Sequence, residues 1–331
     1  MSWSRLVRIV VAVGLTAFLL YISHPLDVAR AAAGADLRWI GMAVGLVLVD
    51  RTLMALRWID LLSALTPGSR PRFSIVLRIF FVSSFVSNFV PSVAADMYRA
   101  YALSRYKVHL AESTASVLMD RILGVLSVVL VGAGALPFAH GIAAQRELIA
   151  ALAAVFGVCA VAIAVVFSEQ AAFWLRTSAG LIPIRIVRHA ADALTDAVRR
   201  YAMHHREMAR VLALSIVVQL IRVLQAWCLG RALGIQLPFA AYCVFIPVIV
   251  LIMQLPITVN GIGTTQAGFL WLFAPQGVPA APVFALSVLF LALGIVGTLP
   301  GGLLYAADEG LGRRSGVSRE GRPGTRGVRG K

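Results

Sequence analysis

The sequence predicts an all-α, polytopic integral membrane protein, and three observations carry that prediction. Hydrophobic residues make up 60% of the 331 positions and charged residues only 14%, with a mean hydropathy of +0.86. An ordinary soluble domain carries roughly 25% charged residues. Ile9 to Leu26 and Ala232 to Ala307 contain no Asp, Glu, Lys or Arg. About 20 apolar residues cross a bilayer, so the second region alone holds two or three passes. Finally, two apolar segments stop at a proline after about half a span, at Pro91 and Pro256. The expected architecture is six full transmembrane helices plus two re-entrant or broken helical segments, eight hydrophobic elements in all. They occupy a transmembrane domain over residues 1–308, followed by a disordered basic tail over 309–331.

The elements follow in order. Span 1 covers about Leu6 to Ile22. It has the short basic start of a signal peptide, but no small-x-small cleavage site follows, so it reads as an uncleaved first span. A short amphipathic piece, DVARAAAGADLRW, leads to span 2, about Leu37 to Leu56, which carries Asp50 and Arg51. After the polar turn TPGSRPR comes the first broken segment, Phe73 to Tyr106. Span 3 is Ser113 to Leu136, with Asp120 and Arg121 near its start, and span 4 is Leu148 to Phe167. An amphipathic stretch from Ser168 to Arg210 has seven arginines against four acids, and span 5 is Val211 to Leu233. The second broken segment covers Ala240 to Phe273, and span 6 is Pro282 to Tyr305.

The net charge of +15 does not indicate nucleic-acid binding, because the basic residues flank apolar spans instead of covering a folded face. Lys and Arg collect in cytoplasmic loops. The Ser168–Arg210 stretch and the tail RRSGVSREGRPGTRGVRGK are arginine-rich, which places the N- and C-termini on the cytoplasmic side of a cell (inner) membrane. The tail reads as a disordered segment touching anionic headgroups. With both termini inside, every loop falls on its expected side only if each broken segment enters and leaves by one face, the first from the cytoplasm and the second from outside. Cys159, Cys228 and Cys243 lie in apolar stretches without metal-site spacing, and the six histidines show none either. No metal, cofactor or catalytic constellation is indicated.

The two breaks, VSNFVPSVAADMYRAY and LIMQLPITVNGIGTTQAGF, occupy corresponding positions in the two halves of the chain. Either alone is explained by an ordinary kink, since Pro and Gly are common in membrane helices. Together they say more. Irregular backbone at membrane depth is tolerated only inside protein or along a wet cavity, and paired interruptions point to a transporter's binding site. A half-helix restarting after a break presents free N–H groups and a positive dipole end, which favours an anion.

Charged side chains near the bilayer centre cost at least about 2.5 to 3.5 kcal/mol, so they pair or face a cavity. The candidates are Asp50, Arg51, Arg57, Arg78, Asp96, Arg99, Asp120, Arg121 and Arg222. Asp50 and Arg57 are seven apart and share a helix face; Asp96 and Arg99 are three apart, close enough to pair along one helix. The plain alternative for each is an interhelical ion pair or a snorkelling arginine. An excess of arginine over carboxylate suits an anionic headgroup, because guanidinium pairs bidentately with phosphate. Gln254, Asn260, Thr264 and Gln266 would give an uncharged polar lining.

The ordered motifs RWIDLL, FFVSSFVSNFVPSVAADMYRAYALSR, ASVLMDRILG, LPITVNGIGTTQAGFL and GGLLY resemble the lysylphosphatidylglycerol synthase/flippase transmembrane family over roughly residues 5 to 306. That family includes the flippase half of the multiple peptide resistance factor. It carries a glycine pair before the first-break aspartate, where this chain has Ala94-Ala95. Alanine remains small, but glycine's extra backbone freedom is lost. The pairs Asp96/Arg99 and Asp120-Arg121 and the Asn260-Gly261 turn match as they stand. Synthase members bear a large aminoacyl transferase domain, so lipid aminoacylation is not expected of this polypeptide.

The resemblance implies a flippase-like protein moving an anionic phospholipid or polyprenyl-type lipid between leaflets. In that scheme Arg78, Arg99 and Arg121 hold the headgroup, Asp96 and Asp120 orient those arginines, and Asn260, Gly261 and Gln266 line the second break. The competing expectations are an intramembrane glycosyl- or lipid-modifying transferase and a non-transporting membrane scaffold.

Overall fold

The computed structural model describes residues 18, 21, 25–65, 72–88, 92–104, 106, 108–138, 150, 153–157, 199–201, 204–254 and 261–304. Regular structure among them is exclusively helical. Most of the expected spans at Leu6–Ile22 and Leu148–Phe167, most of the Ser168–Arg210 stretch, Asn260 and the basic tail lie outside the described residues.

The described residues include the helices α1 (Pro25–Ala33), α2 (Leu37–Leu65), α3 (Phe73–Val86), α4 (Ser92–Ser104), α5 (Leu110–Ala135), α6 (His205–Ala232), α7 (Phe239–Gln254), α8 (Thr264–Phe273) and α9 (Ala280–Val296). Among the described residues four stretches are long and apolar enough to cross a membrane: Leu37–Leu65, Glu112–Phe138, His205–Ala232 and Ala280–Leu304. Large apolar side chains such as Leu48, Leu130, Val217, Leu220, Val288 and Ile295 stand exposed along these helices. Water would not leave such surface uncovered in a monomer, whereas lipid accommodates it. The chain is therefore a multi-pass membrane protein.

α2 starts where Asp36 accepts the Arg38 backbone N–H at 2.9 Å, an aspartate N-cap that satisfies one of the free donors of the first turn. It runs 29 residues, nine past the expected end at Leu56. At 1.5 Å per residue it is about 43 Å long, more than a ~30 Å hydrocarbon core. The helix continues because Arg57 and Trp58, which look like an interfacial stop, are buried in protein.

Both predicted breaks are present. α3 and α4 are 14 and 13 residues long, and α7 and α8 are 16 and 10. At 1.5 Å per residue these reach only about 15 to 24 Å, too short to span singly. α3 packs against α4, and α7 against α8. α3 ends in a turn at Ser87–Asn88 just ahead of Pro91. In the second break Gly261 and Gly263 adopt φ of +73° and +87°, a region open to glycine at no steric cost.

Three apolar clusters hold the bundle. The largest joins α7, α8 and α9 through Tyr242, Phe245, Phe269, Phe273 and Phe290, whose neighbouring rings lie 5.2 to 5.6 Å apart at inclined angles. A second gathers Trp58, Val76, Phe80 and Leu103 around the α3–α4 pair. The third sets Leu61, Met119, Leu123 and Val211 beneath it. α2 and α6 form the most extensive helix contact. The last span reaches back to the first break: Asn88 Nδ2 donates to Thr298 Oγ1 at 2.8 Å, and Gly301 lies against the Phe81 backbone carbonyl, where a side chain has no room.

Candidate functional site

The α3–α4 pair lies against α2 and α5 with Ser83, Ser84 and Arg99 turned inward. Arg99, on α4, is buried. Its guanidinium carbon sits 4.8 Å from the centre of the Phe80 ring and 5.0 Å from that of Trp58, and its Nε donates to Ser83 Oγ at 3.3 Å. A desolvated cation over aromatic faces gains about 2 kcal/mol. The Trp58 indole is fixed in turn by a 3.2 Å bond from Nε1 to Ser116 Oγ.

Asp120 is the carboxylate of this site. Its Oδ1 accepts from Arg57 Nε and Nη2, both at 2.7 Å, while its Oδ2 is 3.8 Å from Arg99 Nη1. Arg57 also donates to Ser215 Oγ at 3.1 Å and to the Asp120 backbone oxygen at 3.4 Å. The side chains of Arg57, Arg99 and Asp120 are all at most 10% exposed. One buried carboxylate thus lies between two guanidiniums, a formal excess of one positive charge. Tyr201, just ahead of α6, donates to the Leu61 carbonyl at 2.8 Å; burial, with Asp120 nearby, pushes its hydroxyl far above the usual tyrosine range.

The site residues read from the sequence divide into groups. Asp96 pairs with Arg121 at 2.7 Å between α4 and α5, so its salt bridge runs across helices and not along α4. That pair is the more open one, with Arg121 44% and Asp96 18% exposed. Arg99 and Asp120 meet in the buried cluster. Arg78 lies on the exposed side of α3, away from the face that carries Phe80 and Ser83. In the second break Gly261 forms the turn before α8, and Thr264 Oγ1 donates to the Gly261 carbonyl at 3.0 Å. Gln266 is buried and its Oε1 accepts the Gly263 N–H at 2.7 Å. Its amide therefore caps its own helix, because a glycine at that position has no side chain to do so.

Sequence reasoning passed over Ser83, Trp58, Ser116 and Ser215 as partners, and left Arg57 as a generic candidate. The signal for Arg57 was its seven-residue spacing from Asp50: both face α6, where Asp50 Oδ1 accepts Arg222 Nε at 3.1 Å. No group of three or more His, Cys, Asp or Glu able to hold a metal occurs among the described residues.

No curated protein matches the chain. The family model described as the lysylphosphatidylglycerol synthase TM region, however, matches residues 5–301. That match runs from the predicted first span to the glycine pair of the last, and it includes both breaks and every charged residue of the site. The chain belongs to the lysylphosphatidylglycerol synthase transmembrane-region family.

Proposed function

We propose that the protein is a flippase-like translocator of an anionic phospholipid or a polyprenyl-type lipid, working by alternating access around its two broken segments in the cell membrane. The observation that carries this reading is the buried Arg57–Asp120–Arg99 cluster, in which two guanidiniums share one carboxylate beside the first break. A purely structural ion pair needs one cation per carboxylate; a surplus guanidinium in a low-dielectric site favours a phosphate. Asp96–Arg121, at the more open edge of the same hairpin, is the first contact for a headgroup. Arg99, held between two rings, is the second. Asp120 holds Arg57 and Arg99 in place, and the turn and helical segment that follow α9 brace the α3–α4 pair through Thr298 and Gly301. The family match supports a lipid-related role.

The test is reconstitution of the purified full chain into vesicles carrying a labelled anionic lipid, with leaflet exchange followed by quenching. The wild type exchanges lipid, and Arg99→Ala loses most of the rate while Asp120 keeps its Arg57 partner and the fold. Unchanged exchange in Arg99→Ala removes Arg99 from the mechanism. No exchange in the wild type, across anionic and polyprenyl lipids alike, refutes the reading.

A further inference from the structure

A second set of buried polar groups lies on the α2–α6 seam, apart from the break. Along α2, Asp50, Met54 and Arg57 follow at spacings of four and three; along α6, Ser215, Gln219 and Arg222 do the same. Both stripes therefore lie on single helix faces. Arg57 meets Ser215 at one end and Asp50 meets Arg222 at the other, so the antiparallel register sets Gln219 between the two charge clusters.

The upper cluster is poorly closed. Asp50 is 2% exposed and takes Arg222 at 3.1 Å, while Arg51 stands off at 3.9 Å from the same carboxylate. Arg51 Nη2 donates to the Gly294 carbonyl of α9 at 3.3 Å and Nη1 to the Met54 sulfur at 3.8 Å, a weak acceptor that Arg222 Nη2 also meets at 2.8 Å, and Arg51 Nε is buried without a hydrogen-bond partner. Gln219 is 1% exposed, and neither its amide nitrogen nor its amide oxygen has a partner. Whichever way the amide is turned, one donor and one acceptor go unmet. A buried polar atom left unpaired costs about 1 to 3 kcal/mol, and here three such atoms accompany a surplus guanidinium. Gly297 packs beside the same arrangement: a Cβ there would come within 2.8 Å of Val47 Cγ2 and 3.1 Å of Arg51 Nε.

We propose that Arg51, Arg222 and Gln219 form a second anion site, taking a phosphate group that also carries a hydroxyl. The two guanidiniums and the Gln219 N–H supply donors for the oxyanion, and the Gln219 oxygen accepts the ligand's hydroxyl proton. Hydrogen phosphate and the phosphodiester headgroup of a phosphatidylglycerol share this chemistry. The site is defined by binding and does not require that the protein move lipid.

The full chain in a neutral maltoside detergent is titrated with inorganic phosphate and, separately, with short-chain phosphatidylglycerol, reading the unfolding midpoint against sodium chloride at equal ionic strength. Wild type is stabilised by at least one of the two ligands. A response to both identifies the bare phosphate group as sufficient, and a response to the lipid alone identifies the headgroup. Arg51→Gln, which leaves Asp50 with Arg222, weakens apparent affinity about tenfold, the factor set by about 1.4 kcal/mol. Gln219→Met keeps the volume, removes the unmet polar atoms, folds at least as well as wild type, and loses affinity likewise. It decides the question if Arg51→Gln does not fold. No response in wild type, or a response unchanged in Gln219→Met, overturns the site, the second by assigning the anion to the break cluster.

Discussion

Asp120 is the group on which the break depends, and its removal has a magnitude that follows from geometry. In Asp120→Asn the side chain keeps its shape and loses its charge. Arg57 then has a neutral amide oxygen where two 2.7 Å charge-assisted bonds met a carboxylate, beside the Ser215 hydroxyl and a carbonyl at 3.4 Å. Arg99 loses its nearer carboxylate. Two guanidiniums remain buried at the same spot. Breaking a buried ion pair by removing one partner costs about 3 to 5 kcal/mol; the retained hydroxyl and ring contacts put Asp120→Asn near the lower end, about 3 kcal/mol. Asp96→Asn removes the analogous charge from the half-exposed Arg121 and costs no more than about 1 kcal/mol. The assay is unfolding in maltoside micelles followed by near-ultraviolet circular dichroism, with both variants measured side by side. Arg57→Met combined with Asp120→Leu replaces the pair by apolar groups and should be more stable than Asp120→Asn alone, since such replacements are often neutral. If Asp120→Asn lies within 1 kcal/mol of wild type, or Asp96→Asn costs as much, the closed low-dielectric cluster argued above does not exist.

Two further predictions concern packing. A methyl at Gly301 runs into the Phe81 backbone carbonyl, so Gly301→Ala should cost about 1 to 3 kcal/mol by prising the helical stretch after α9 from the first break. At Gly294 an added methyl meets nothing within 4 Å, so Gly294→Ala should be neutral or gain up to about 1 kcal/mol from helix propensity; the same unfolding assay reads both. Tyr242 is buried with an unpartnered hydroxyl pressed against Gly230. Tyr242→Phe should therefore be neutral or stabilising by up to about 1 kcal/mol, and it should relieve most of the damage that Gly230→Ala does in the wild-type background.

What was legible in the sequence was what depends on neighbours along the chain. The spans follow from runs of apolar residues, and both breaks follow from Pro91, Pro256 and the glycines around Gly261. What escaped depends on partners far away. Span 2 looked finished at Leu56 because Arg57 follows, yet Asp120, 63 positions on, neutralises that charge and the helix runs to Leu65. Asp96 and Arg99 have the spacing of an intrahelical pair, but α5 presents Arg121 to the one and Asp120 to the other. Gln266 looked like cavity lining because it is polar in an apolar stretch; a glycine N-cap draws its oxygen back onto the backbone. Gln219 carried no signal beyond its helical spacing from Ser215 and Arg222.

The charge stoichiometry separates a binding protein from a scaffold more sharply than any single residue does. A scaffold that needs ion pairs to lock its helices has reason to match them one to one, because each unmatched charge in hydrocarbon costs several kcal/mol. The half-open pair Asp96–Arg121 follows that rule. The clusters around Asp120 and Asp50 break it in the same direction: Asp120 serves Arg57 and Arg99, and Asp50 serves Arg222 and, at longer range, Arg51. Both clusters lie on α2, seven residues apart, each with one guanidinium more than it has carboxylates. Snorkelling does not account for Arg57 or Arg99, which are nine-tenths buried with their charged heads held by protein. Placed twice where positive charge is most expensive, the surplus is intelligible if an anion completes each cluster during the working cycle. The scaffold reading predicts the opposite for Arg51→Gln: a neutral cluster, a gain in stability and no change in the response to phosphate.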